Sequence, residues 1–315
     1  MTDTTTAISD HEGARNQVRA VMAAEGLTQA AIAREADVNP QTFNLWLNDK
    51  YQGHNDPITE KVRIWLASRE EKKRVAAVVP AEPDFVQTRS ASGFATALRF
   101  AQLLPEISVI AGAAGIGKTK TARHYAATNP NVWLATMRPS TAGVNLMLQE
   151  IAAAVRVDER SAAKLARAIG RRISGTGGLI IIDEAQHLRP DALDELRSLY
   201  DAHDVGIALV GNETVYARLE GRAREASFAQ LFSRVGHRVT QAKPRTADID
   251  ALIRAWGVSD ADEVAFLRAV ARKPGALRNV TKCLRSAGLL AGRRPRTLLD
   301  MQTAWASQTA GEVSE

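Results

Sequence analysis

Residues 112–119 read GAAGIGKT, the spacing GxxxxGK[ST], and the chemistry that spacing serves is the holding of a nucleoside triphosphate. Glycines let the backbone curl until successive N–H groups converge on an anion. A helix starting where the loop ends turns its positive pole to the same point. Within the run Gly112, Ala113, Ala114, Gly115, Ile116, Gly117, Lys118, Thr119 and Lys120, the Lys118 ammonium is placed for the β- and γ-phosphates of ATP and the Thr119 hydroxyl for its Mg²⁺. A second stretch, LIIIDE at 179–184, is an apolar run ending in two carboxylates. Asp183 falls at the C-terminal end of a buried strand, where ligands sit in open α/β sheets, and is suited to hold Mg²⁺ with Thr119. Glu184, one residue on, is suited to orient or deprotonate the attacking water. Two acids at a strand end also serve as helix caps, so the pair acquires its catalytic reading from the loop at Gly112.

Three further positions could reach the triphosphate. Asn212 ends the apolar run GIALVGN and points a side-chain amide toward the γ-phosphate from a neighbouring strand; the alternative is a turn-forming Asn after Gly211. Arg234, in LFSR before the last strand pattern, is a candidate to donate charge to the γ-phosphate of an adjoining subunit, or is a surface arginine. Arg278, in PGALR, is placed to contact nucleotide in its own subunit, or is a solvated helical charge.

The elements needed to position these residues are legible. ISVIAG at 107–112 is a short buried strand and KTKTARHYAATN a helix, in the order a phosphate loop requires. SGFATALRFAQLL precedes them as a helix. Then follow the strand NVWLATM, the helices GVNLMLQEIAAAV and SAAKLARAIGRRI, the strand at 179–183, the helix DALDELRSLYDAH, the strand GIALVGN, a helical stretch through FAQLFSRV and a last strand, HRVTQ. Five strands interleaved with helices imply an α/β core, a parallel sheet covered on both faces. Beyond Lys243 only helical patterns remain (TADIDALIRAWG, DADEVAFLRAVAR, GALRNVTKCLRSAGLLAG, TLLDMQTAWAS), an all-α lid. The expected organisation is a helical domain at 1–68 with its first ten residues frayed, a linker at 69–88 (REEKKRVAAVVPAEPDF, charged and then proline-containing), a nucleotide-binding core at 89–242 and a helical lid at 243–315.

In the first domain, LTQAAIAREADVNPQTFNLWLNDKY carries two short helices broken near residues 37–40. Thr28 caps the first, and Asn39 caps the second with Pro40 in its first turn. This resembles the helix-turn-helix of phage repressor and Cro-type domains, in which the second helix enters the major groove. Asp37 stands where that family usually has glycine, and is among the residues that tolerate a left-handed backbone. Gln41, Thr42 and Asn44 lie on the outer face and can hydrogen-bond bases or phosphates, without an arginine fork for guanine. The rival reading is a helical interaction module that never touches DNA. The 315 residues carry 41 Lys and Arg against 35 Asp and Glu, a net charge of +6, the bias of a chain that works on an anionic polymer. Lone Cys283 excludes an internal disulfide framework or a cysteine zinc site. No run approaches a membrane span, so a soluble cytoplasmic protein is expected.

Together, the loop (Walker A), the DE pair (Walker B), Asn212 (sensor 1), the arginine of FSR and the arginine of GALR (sensor 2) resemble an AAA+ ATPase. The whole chain, including NDKY, the PxxPxFVxT segment, NVW, FAQLFSR and KPGALR, is similar to the transposition protein B family of bacteriophage Mu. That resemblance implies ATP-dependent assembly into helical oligomers on double-stranded DNA of largely arbitrary sequence, delivery of that DNA to a DDE transposase, and protection of the element's own DNA. Arg156, Lys164, Arg167, Arg171 and Arg172, in and after the helices following the second strand, are then candidates for DNA backbone contact in the central channel, or form a solvated helix surface. Other functional classes are a helicase loader or secretion-type ATPase, and a helix-turn-helix regulator with a regulatory nucleotide fold.

Overall fold

The structure, a computed structural model, describes residues 3–215 and 233–309, with side chains described at 10–75, 79–215 and 233–309. The expected helix through FAQLF lies outside the described residues. The chain divides into two compact units, Met1–Pro80 and Ala81–Glu315.

The first unit holds four helices: α1 (Asp3–Glu25), α2 (Gln29–Glu35), α3 (Pro40–Leu47) and α4 (Asp56–Val78). Its core is Ala14 and Val18 of α1 against Ile32, Ala33, Phe43, Trp46, Leu47, Val62 and Trp65. The caps follow the sequence: the Thr28 hydroxyl accepts from the Ala31 N–H and the Asn39 carboxamide accepts from the N–H groups of Gln41 and Thr42, with Pro40 at the helix start. Asp37 takes φ = +54° at the turn, where Lys61 of α4 donates to its carbonyl and carboxylate at 2.7 and 2.8 Å.

Two expectations need correction here. Residues 3–10, expected to fray, are helical and belong to α1, which is fastened to α4 by the Asp10–Arg63 ion pair and by His11 Nδ1 to Thr59 Oγ1 at 2.7 Å. Residues 69–78, expected as the first half of a linker, continue α4. The charged run there is built of strong helix formers with no glycine or proline before Pro80, and Lys73 pairs with Glu25 at the end of α1 at 3.0 Å.

The second unit opens with α5 (Arg89–Leu103), then β1 (Ile107–Gly112), α6 (Lys118–Thr128), β2 (Val132–Thr136), α7 (Val144–Val155), α8 (Ala162–Ile173), β3 (Leu179–Asp183), α9 (Pro190–His203), β4 (Gly206–Gly211) and β5 (Val235–Gln241). The strands form one sheet in the order β2-β3-β4-β1-β5, all parallel. Alternation along the strands splits the core in two. Val109, Ala111, Ile180, Ile182, Ile207 and Leu209 pack under α7, α8 and α9. Ile110, Leu179, Ile181, Ala208 and Val210 face α5 and α6. Burial on both faces explains why β1, β3 and β4 read as largely apolar runs, Ser108 of β1 being the buried exception. The lid follows as α10 (Thr246–Ala255), α11 (Ala261–Ala271), α12 (Ala276–Ala291) and α13 (Leu298–Thr309), with its own core around Leu252, Leu267, Val280, Leu284 and Met301. Cys283 is buried in it, its Sγ donating to the Met301 carbonyl at 3.4 Å. Among the described residues no helix is long and apolar enough to cross a membrane.

Candidate functional site

The loop between β1 and α6 takes its shape from glycine at three points. A Cβ on Gly112 would stand 2.2 Å from the Gln241 carbonyl oxygen of β5, so only glycine lets the strand end approach its neighbour. Gly115 and Gly117 take φ of +81° and +99°, left-handed values that cost other residues about 1–2 kcal/mol. Ile116 turns inward and is buried in the core beneath α5 and α6, anchoring the loop from below. The Lys118 ammonium curls back over the loop and donates to the carbonyls of Gly112 and Ala113, both at 2.8 Å. These are bonds a triphosphate would replace.

Thr119 Oγ1 lies 3.3 Å from Asp183 Oδ1. Asp183 ends β3, is 2% exposed, and its carboxyl is pushed up from the ordinary range, first by burial and further by the charge of Glu184, against the Thr119 hydrogen bond. Burial pushes Lys118 down, against the opposing charges of Glu184 and Asp183. A metal-bound polyanion here would offset both shifts, since it would bring negative charge to Lys118 and positive charge to Asp183. Among the described residues no cluster of three His, Cys, Asp or Glu could hold a metal alone. One carboxylate and one hydroxyl suit Mg²⁺, which is held by few protein oxygens and completes its shell with phosphates and water.

A cleft of about 510 Å³ brings Lys118 and Thr119 together with Glu184, lined by residues 114–121, Glu184, Gln186, Asn212 and Arg278, among others. Glu184 sits at φ = +55° just beyond β3. Asn212 borders the cleft, and its Oδ1 also accepts from the Thr214 N–H at 3.0 Å, so the turn-capping alternative is realised in the same side chain. Arg278 is close enough for its charge to act on Lys118. The lid reaches the loop directly: the Leu277 N–H donates to the Gly115 carbonyl at 3.1 Å. Lys120 is ion-paired with Glu82.

Arg234 is not brought into this cleft. It precedes β5 at the edge where Val235 pairs with Ile107, whereas the loop leaves the sheet where Gly112 pairs with Gln241, roughly 20 Å away by strand rise. Its Nε donates to Asp201 Oδ1 of α9 at 2.6 Å. Lys164, Arg167 and Arg171 fall at three- and four-residue spacing on one exposed stripe of α8, with Arg156 exposed at the left-handed end of α7. The exposed Arg172 guanidinium rests over the Trp133 ring, 5.5 Å from its centroid. On α3, Gln41 and Asn44 are exposed and Thr42 half-buried, and the Asn44 amide already donates to Gln29 Oε1 at 2.9 Å.

Sequence reasoning missed one wall of the cleft. Glu82, Pro83, Phe85, Val86 and Thr88 line it, although their prolines read as linker. Phe85 stacks flat on His124 of α6, with centroids 3.8 Å apart and planes at 4°. The aromatic between the two prolines and α5 was the signal available, because a solvated linker has no need of one.

Two family models match the chain: "AAA domain" over residues 104–219 and "Mu B transposition protein, C terminal" over residues 233–307. The chain is 39% identical to "ATP-dependent target DNA activator B" of Escherichia phage Mu over 279 residues, covering 88% of each. It is equally similar to the protein of that name from Escherichia phage D108. It is 35% identical over 272 residues to "Mu-like prophage FluMu DNA transposition protein B" of Haemophilus influenzae, covering 85% of this chain and 93% of that one.

Proposed function

The chain belongs to the family of the phage Mu B transposition protein, and from that premise we propose that it is an ATPase that binds target DNA when loaded with ATP and presents it to a transposase of the DDE class. The observation that carries the reading is a cleft lined by the phosphate loop, Glu184 and Leu277 and Arg278 of the lid, with Asp183 joined to it through Thr119. In this reading the loop N–H groups and Lys118 hold the β- and γ-phosphates, and Thr119 and Asp183 would hold Mg²⁺, which would supply positive charge beside the transferred phosphoryl group. Glu184 takes the proton of the water whose oxygen bonds the γ-phosphorus as the bond to the bridging oxygen breaks. Asn212 and Arg278 contact the γ-phosphate in the same subunit, and Arg234 contacts that of a neighbour.

The distance of Arg234 from its own cleft supports action across a subunit boundary, and with it ATP-dependent assembly into helical oligomers. Each added subunit then aligns another copy of the α8 stripe along the duplex, and many weak phosphate contacts become one strong attachment. The helix-turn-helix adds affinity without choosing a sequence, because its outer face offers amides and a hydroxyl but no guanidinium. The setting is the cytoplasm of a bacterial host. Footprinting on unrelated duplexes in ATP and in ADP tests the proposal, with Lys118→Ala losing nucleotide binding and Glu184→Gln binding ATP without turning it over. Equal protection in the two nucleotides, or full ATP affinity in Lys118→Ala, refutes it.

A further inference from the structure

Gln186 lies two residues beyond Glu184, in the tight turn Ala185–His187, and borders the nucleotide cleft. Its Nε2 donates to Glu184 Oε2 at 2.5 Å, and its Oε1 accepts from the Asn212 backbone N–H at 3.3 Å. The two partners fix which way the amide faces. A carboxylate only accepts and a backbone N–H only donates, so the reversed amide would lose both bonds. Gly211 makes the seat, because a Cβ there would stand 2.5 Å from Gln186 Oε1. The backbone of Glu184 is left-handed, at φ = +55°, a conformation that persists only where its surroundings enforce it.

We propose that Gln186 is a positioning residue for ATP hydrolysis: its amide holds the Glu184 carboxylate in register with the end of β4, where Asn212 stands, so that the water-facing acid and the γ-phosphate-facing amide move as one unit. This rests on the reading of Glu184 as the residue that orients water. One Glu184 oxygen is occupied by the amide and the other is left for the water. Without the amide the carboxylate is free to turn about its side-chain torsions.

The test is ATP hydrolysis by the full chain, in steady state and in single turnover, with Gln186→Ala, Gln186→Glu, Glu184→Gln and the double variant Gln186→Glu/Glu184→Gln. Gln186→Glu keeps the shape and the acceptor for the Asn212 N–H but removes the donor. The expected result is a fall in kcat on the order of tenfold in both Gln186 variants, from loss of one charge-assisted hydrogen bond, with KM and ATP affinity unchanged. The double variant should hydrolyse no more slowly than Glu184→Gln, because Gln186 acts only through Glu184. A kcat for Gln186→Glu within twofold of the parent overturns the proposal. So does a double variant slower than Glu184→Gln by the full single-variant factor, or a loss of ATP affinity that matches the loss of rate. Full turnover in Glu184→Gln alone instead removes the water-orienting reading on which the proposal stands.

Discussion

Gly115 occupies a position that the pattern GxxxxGK[ST] leaves open, and the structure closes it. A Cβ there would stand 1.9 Å from the carbonyl oxygen of Gly275 and 2.7 Å from its carbon, both backbone atoms of the turn that begins α12. Gly115→Ala therefore forces the loop and the lid turn apart. The φ of +81° costs an alanine about 1–2 kcal/mol. Separation also breaks the bond from the Leu277 N–H to the Gly115 carbonyl, a net loss of about 0.5–1.5 kcal/mol. The sum is about 1.5–3.5 kcal/mol against the arrangement that closes the cleft, which at 1.4 kcal/mol per decade is about a ten- to three-hundred-fold loss of ATP affinity.

The clash is confined to the loop and the turn before α12, so the loss should fall on nucleotide binding more than on Tm. Titration with a fluorescent ATP analogue, alongside thermal unfolding without nucleotide, separates the two. Gly93→Ala is the control: that glycine lies inside α5 with nothing within 4 Å of its added Cβ, and a helical Gly→Ala change gains roughly 0.5–1 kcal/mol. ATP affinity of Gly115→Ala within threefold of the parent would falsify the idea that the lid turn and the loop share this contact in the binding-competent state.

Arg234→Ala should cost on the order of 10³-fold in ATPase rate, and mixing it with Lys118→Ala subunits should restore part of the activity; mixtures no better than either variant alone argue against action in trans. Arg171→Ala together with Arg172→Ala should weaken binding to all duplexes alike and flatten the plot of log K against log[salt] by up to about 1.8, at 0.9 per phosphate contact, with ATP binding intact. An unchanged slope takes both arginines off the DNA path. Burial pushes the Cys283 thiol up to about 11, so at pH 8 the thiolate fraction alone should slow disulfide exchange with an aromatic disulfide reagent about a hundredfold relative to the denatured chain. Fast labelling of the native protein would show that the lid core opens readily.

The sheet was legible because its signals are local. Apolar runs at β1, β3 and β4, broken in β1 only by Ser108, are the mark of strands covered on both faces, and their strand, loop and helix order places the phosphate loop without any tertiary information. The loop and the Asp183–Glu184 pair were legible for the same reason. The contacts that complete the cleft join residues far apart in the chain, and no periodicity carries them. Glu82 reaches both Lys120 of α6 and, at 3.8 Å, Arg285 of α12, so a segment with the composition of a linker is held as a wall of the site.

Residues 69–78 are helical although their local composition is that of a linker. A run of Glu, Lys and Arg looks solvated, and it is, but solvation does not distinguish a linker from the outer face of a helix. What decides between them is whether glycine or proline interrupts the run and whether a partner waits at helical spacing. Here the first interruption is Pro80, and Glu25 at the end of α1 meets both Arg69 and Lys73. Those two residues lie four apart, one helical turn, so a single carboxylate clamps both only if the chain between them is helical. The partner is supplied by a helix more than forty residues earlier, and that is why the segment reads correctly only once α1 and α4 lie side by side.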